Sequence, residues 1–201
     1  MRHLSALDAL FLHLETPETP MHVGSLILLE NPPGQRGKLG AAIEKHIAGR
    51  LHLAPLFTRK LQFMPFDLAN PVWLDAGELD MKYHILKKKL PKPGTRAQLE
   101  AMVAKLHEGT LDRSRPLWQF AIIEGLQGGE TAFYARVHHA ALDGQGGVAL
   151  AQAVLDTEPK PARGKTTRGE AAAALAPTTA KMLSAALSNT VAQYSRIVRA
   201  V

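Results

Sequence analysis

The 201-residue chain contains no cysteine. That absence excludes disulfides, thiolate nucleophiles and cysteine-ligated metal sites, and it is compatible with a reducing compartment. Aromatic residues are scarce at 5%. With no zinc-finger spacing and no interleaving of aromatic and basic residues, nucleic acid is not an expected partner. No apolar run reaches 18 residues, so no membrane-spanning helix is expected. The opening MRHLSALDALFLHLETPETP carries Asp8, Glu15 and Glu18 in or beside its apolar stretch and has no cleavage-site pattern, which argues against a secretory signal. A GxSxG elbow is also missing, so nothing suggests a serine acyl-enzyme.

What remains is an ordinary globular composition, 46% hydrophobic and 21% charged, long enough for one good core. The net charge of +6 is uneven. Residues 157–201 hold seven Lys or Arg against two Asp or Glu, whereas residues 1–156 are nearly balanced at 17 against 16. A basic tail of this kind suits an acidic partner domain, anionic lipid or cofactor phosphates.

Periodicity divides the body into alternating helices and strands. SALDALFLHLE has helical spacing with Ser5 as its cap. VGSLILLE at 23–30 reads as a strand, and residues 38–52 as a helix with Leu39, Ile43, Ile47 and Leu51 on one face. Residues 59–68 suggest one or two short extended pieces, while 71–86 give a mixed pattern. Thr95 caps a helix over 96–108, striped by Leu99, Met102, Val103 and Leu106. Residues 118–126 and 131–139 read as a hairpin turning at QGG, and a helix follows from 146 to 155. The composition changes at Thr157. Residues 157–177 read as a linker, and residues 178–201 as an Ala-rich helix that either leads toward a second domain or folds back on the body.

The chemistry concentrates in HHAALDG at 138–144. His138 and His139 end an apolar strand, which presents an imidazole from a rigid element. Asp143 can cap the next helix or hold an arginine, and Gly144 permits close backbone approach. Imidazole, with an ordinary pKa of about 6.5, suits proton abstraction from an alcohol, amine or thiol as carbonyl attack proceeds. His139 is the expected base. His138 has a packing or site-shaping role, and Asp143 a structural one. Zinc is disfavoured, since adjacent histidines on a strand point to opposite faces. A second constellation, LDRSRPLW at 111–118, offers Arg113 and Arg115 as braces for Asp143, partners across a domain boundary or solvated charges. Pro116, Leu117 and Trp118 enter the next strand there. The basic run Lys87–Lys89, with Lys92 and Arg96, reads as a solvated face or an approach for the phosphates of a cofactor.

HHAALDG resembles the HHxxxDG motif of the bacterial wax ester synthase/acyl-CoA:diacylglycerol acyltransferases. That family belongs to the superfamily of chloramphenicol acetyltransferases and peptide-synthetase condensation domains. LSALDALFLHLETPETPMHVGSL, FDLANPVW at 66–73 and LDRSRPLW resemble the same family more narrowly, so the likeness covers residues 1–156. It implies an α/β fold, a mixed sheet flanked by helices, forming one half of a two-domain chloramphenicol acetyltransferase-like enzyme. It further implies His139 as the base, with His138, Asp143, Gly144 and the run Arg115, Pro116, Leu117 and Trp118 as motif or structural positions.

The implied reaction moves a fatty acyl group from acyl-CoA, a cosubstrate rather than a permanently bound cofactor, to a long-chain alcohol or diacylglycerol. Transfer is direct, in a ternary complex. The implied partner is the C-terminal half of the enzyme. The implied setting is the cytoplasm, with peripheral attachment to the inner membrane or lipid inclusions. Two alternatives stand beside this one: a related acyltransferase or condensation enzyme with another acceptor, and a non-catalytic lipid-binding or assembly domain.

Overall fold

The computed structural model describes residues 2–32, 34, 37–142 and 146–156, and residues 178–180, 182, 184 and 188 of the C-terminal segment. The expected linker at 157–177 and most of the helix at 178–201 lie outside the described residues. The chain is a mixed α/β structure built on two sheets. The elements are β1 (Arg2–His3), α1 (Ala6–Leu14), β2 (His22–Leu29), α2 (Leu39–Ala48), α3 (Pro55–Thr58), β3 (Arg59–Gln62) and β4 (Val72–Asp75). They continue with α4 (Met81–His84), β5 (Ile85–Lys89), α5 (Arg96–His107), β6 (Trp118–Glu124), β7 (Thr131–His138) and α6 (Gly146–Val154).

The main sheet runs β2-β7-β6-β5. β7 lies antiparallel to both β2 and β6, and β5 adds in parallel. A smaller antiparallel sheet, β1-β4-β3, sits beside it. The nearly continuous apolar runs WQFAIIE and TAFYARVH follow from this arrangement. Strands covered on both faces lose the usual alternation. Trp118, Phe120, Ile122, Phe133, Ala135 and Val137 face α2, α3 and α6. Ala121, Ile123, Ala132 and Tyr134 face the opposite way, toward Leu99 of α5.

Local signals explain the helix starts. The Ser5 hydroxyl accepts the Asp8 amide, and Thr95 and Gln98 form a reciprocal capping box. The helix expected over 38–52 stops at Ala48. Leu51 belongs instead to a separate 3₁₀ turn, Leu51–Leu53, and Pro55 then starts α3. After β3 the chain makes a 3₁₀ turn at Pro65–Asp67 rather than a second extended piece. The mixed stretch 71–86 resolves into β4, α4 and the start of β5. Met182 is buried against Met64 and Val72, so that point of the C-terminal segment packs on the body. Among the described residues, no helix is long and apolar enough to cross a membrane.

Candidate active site

The two histidines end β7 and enter a 3₁₀ turn, His139–Ala141, which packs on α1. Leu4, Ala9 and Leu12 meet Ala140 and Leu117 beneath that turn. The turn is also pinned through its backbone. The His138 amide donates to the Leu117 carbonyl at 2.9 Å, and the His139 amide donates to the Met21 carbonyl at 2.8 Å.

The imidazoles have opposite fates. His138 is fully buried. Its Nδ1 accepts the Ala140 amide at 3.0 Å, so the neutral ring carries its proton on Nε2. That nitrogen lies 3.3 Å from Glu15 Oε1, close enough for electrostatic attraction but outside good hydrogen-bond geometry. Burial holds the His138 pKa below the ordinary imidazole value. The neighbouring Glu15 carboxylate opposes that shift, and the Arg113 cation adds to it. His139 is exposed, with its ring stacked on Phe11 at a centroid distance of 3.9 Å and an interplanar angle of 17°.

Glu15 joins the two ends of this arrangement. Its side chain is 1% exposed. Oε1 accepts the Met21 amide at 3.1 Å, and Oε2 accepts Arg113 Nε and Nη2 at 3.2 and 2.9 Å. Burial pushes the carboxyl pKa upward, but the Met21 amide, Arg113 and His138 outweigh it and leave the group below its usual range. Arg113 Nη2 also donates to the Leu12 carbonyl at 2.7 Å. A chain of contacts therefore runs Arg113–Glu15–His138 and ends on the turn that presents His139.

The remaining expected site residues fall outside this cluster or support it indirectly. Arg115 pairs with Asp80 at 3.0 Å and Asp112 at 3.1 Å and lies over the Tyr83 ring, so it ties the approach to β6 onto α4. Pro116, Leu117 and Trp118 are buried, and Trp118 Nε1 donates to the Phe57 carbonyl at 3.1 Å. Leu117 shares a core cluster with Ala140 of the histidine turn, and Ala141 also packs against the cluster that contains Trp118. Asp143 and Gly144 lie outside the described residues. Lys87 pairs with Glu44 on α2. Phe11 and Glu15, which touch the histidines, lie in the family-like stretch LSALDALFLHLETPETPMHVGSL but are not among the expected site residues. The available cue was an acidic residue closing an apolar helix.

Known proteins resemble this chain over the same region. The family model described as the wax ester synthase/diacylglycerol acyltransferase catalytic domain matches residues 4–201. A Mycobacterium tuberculosis H37Rv relative, Rv0895, provisionally named a diacylglycerol O-acyltransferase, is 40% identical over 156 residues. That match covers 78% of this chain and 31% of the relative. A second protein of that organism, tgs3, named a probable diacylglycerol O-acyltransferase, is 37% identical over 79% of this chain and 58% of its own length. The chain thus spans between about a third and three-fifths of these curated relatives. Among solved structures, the wax ester synthase/diacylglycerol acyltransferase from Marinobacter aquaeolei VT8 superposes with a TM-score of 0.68 at 33% identity. The superposition covers 79% of this chain and 38% of that one. The starter condensation domain of rhizomide synthetase, solved as a mutant with C8-CoA, shares the fold at a TM-score of 0.59 and 17% identity, over 76% of this chain and 34% of that one.

Proposed function

The chain belongs to the wax ester synthase/diacylglycerol acyltransferase catalytic-domain family, and from that premise we propose that it supplies the histidine-bearing half of an acyl-CoA-dependent O-acyltransferase. The acyl donor is a long-chain fatty acyl-CoA, and the acceptor is a long-chain alcohol or diacylglycerol. His139 is the general base. One observation carries this assignment: of the two adjacent imidazoles, His139 alone is open to solvent, on a turn fixed by backbone bonds and backed by the face of Phe11. His138 is unsuited to the task, because the Ala140 amide occupies its bare nitrogen and its other nitrogen faces Glu15.

In this reading the free nitrogen of His139 takes the hydroxyl proton of the acceptor as its oxygen bonds to the thioester carbonyl carbon. Collapse of the tetrahedral adduct breaks the C–S bond. The imidazolium returns its proton to the departing CoA thiolate, leaving ester, CoA–SH and neutral His139. Arg113, Glu15 and His138 act as positioning residues. For Asp143 and Gly144 the reading keeps the structural roles that the motif resemblance implies. The exposed side of His139 is closed by a second, C-terminal half, which the greater length of the relatives supports. The assembly works in the cytoplasm, attached peripherally at the inner membrane or at lipid inclusions.

The test is His139→Ala in the complete assembly, with hexadecanol or a diacylglycerol as acceptor. Because this chain has no cysteine, a thiol reagent reports its CoA release without reacting with the chain itself. The expected loss in kcat is roughly 10²–10⁴-fold, the usual worth of general-base assistance, with melting temperature little changed. Turnover at the unsubstituted rate would remove the base assignment.

A further inference from the structure

On the α6 side of the main sheet, β2 and β7 leave an apolar groove whose lining includes Val137 and Leu142, the residues just before His138 and just after the histidine turn. Two facing positions are small: Ser25 of β2 pairs in register with Ala135 of β7. Around them lies a cavity of about 240 Å³, bounded at one end by Val137 and Leu142, which flank His138 and His139 in sequence. A second cavity of about 280 Å³ continues toward Leu29, walled by Ala42 and Ile43 of α2. Ile27, Phe133, Val154 and Leu155 line both cavities and so stand where the two adjoin.

The two cavities differ at their ends. Among the described residues, the lining of the first carries no charge. The second ends at a polar clasp, where His46 Nε2 meets the Val154 carbonyl at 3.1 Å and Arg50 pairs with Asp156 at 2.5 Å. From Val23 to Leu29 is six strand steps, about 20 Å, close to the extended length of a chain of about sixteen carbons. An apolar space of that length, with Val137 and Leu142 on either side of the histidine turn at one end and an ion pair at the other, fits an alkyl chain and rejects a polar one.

We propose that these two cavities select acyl chain length. The first holds the carbons nearest the thioester, the Ile27–Phe133–Val154–Leu155 junction separates medium from long chains, and the His46–Arg50–Asp156 clasp sets the upper limit. This inference rests on the acyl-transfer reading for its ligand and adds which chains are taken and which residues decide it.

Calorimetric binding of octanoyl-CoA and hexadecanoyl-CoA to the full chain tests it without turnover. Ala42→Phe projects a ring into the second cavity from an exposed helix position. It is expected to weaken hexadecanoyl-CoA about tenfold or more while leaving octanoyl-CoA within twofold. Ser25→Leu fills the first cavity and weakens both. Leu155→Ala, also at an exposed site, widens the junction and shifts preference toward the longer chain, which keeps the test open if a filling variant fails to fold. Equal effects on both chain lengths with Ala42→Phe and with Leu155→Ala, or no effect with any of the three variants, would overturn the filter. His139→Ala separates the two readings. Lost turnover with the binding pattern intact upholds both, whereas retained turnover removes the base and leaves the groove to stand on the binding data.

Discussion

Replacing Glu15 by glutamine removes a negative charge from a site where the side chain is 1% exposed and barely changes its shape. The carboxylate is an acceptor on both oxygens, toward Arg113 on one side and toward the Met21 amide and His138 on the other. An amide has only one oxygen. Whichever way it is turned, its NH₂ faces a donor: the Arg113 guanidinium in one orientation, the Met21 amide and the His138 Nε2–H in the other. Hydrogen bonds to a charged group contribute about 1.5–3 kcal/mol each, and Arg113 keeps its bond to the Leu12 carbonyl and some access to water. The expected destabilisation is therefore about 2 kcal/mol, or about 4–8 °C in melting temperature for a chain of this size.

The same substitution frees His138 to rotate and loosens the turn bearing His139. A fall in kcat of about tenfold or more is expected, with KM for acyl-CoA nearly unchanged because Glu15 does not touch substrate in this reading. Thermal unfolding by circular dichroism and steady-state CoA release measure the two effects. A melting temperature within 1 °C of the parent would refute the network energetics. A clear drop in melting temperature with unchanged kcat would show that Glu15 holds the fold but does not position the base.

Phe11→Ala removes the ring behind His139; a loss of about 1–2 kcal/mol in chemical denaturation and a roughly tenfold fall in kcat are expected. Gly94→Ala tests a different constraint. Gly94 has a φ of +77°, and an added Cβ would meet the Gly125 carbonyl oxygen at 1.9 Å, so the backbone must move. The expected cost is about 3 kcal/mol or more, read as a lower denaturation midpoint. Acid should also destabilise the fold. Glu15 and His138 both have folded pKa values below their ordinary ones, as do the buried His22 and His84. The unfolded chain therefore takes up more protons as pH falls through about 6.5 and again through about 4.3, and stability present at neutral pH is lost in those two windows. A melting temperature that stays flat or rises between pH 7.5 and 4 would contradict this.

Much of the scaffold was legible because its determinants are local. Ser5 and Thr95 cap the helices that follow them, and QGG turns the β6–β7 hairpin. β5 was hidden because three consecutive lysines end a five-residue strand whose pairing partner lies more than 30 residues away. Length misled at α2, where a single apolar stripe ran across two separate helical pieces. The histidine pair could be read as chemistry from its own sequence, but the division of labour between the two rings could not. It depends on Glu15 and Arg113, which are 98 residues apart. Arg113, read as a possible brace for Asp143, braces Glu15, and Arg115 holds Asp80 and Asp112.

The attachment of the histidine turn to β2 has a mechanical consequence. The His139 amide hangs from the Met21 carbonyl, and His138 lies across from His22, where β2 begins. Among the described residues β2 is an edge strand of the main sheet, and it is also one bank of the apolar groove. Any guest that pushes that bank outward pulls on the tether of the imidazole at the same time. If the groove holds an acyl chain and His139 is the base, as proposed, cargo seating and base alignment are loaded onto one strand, and a poorly fitting tail would be felt as a misplaced proton acceptor.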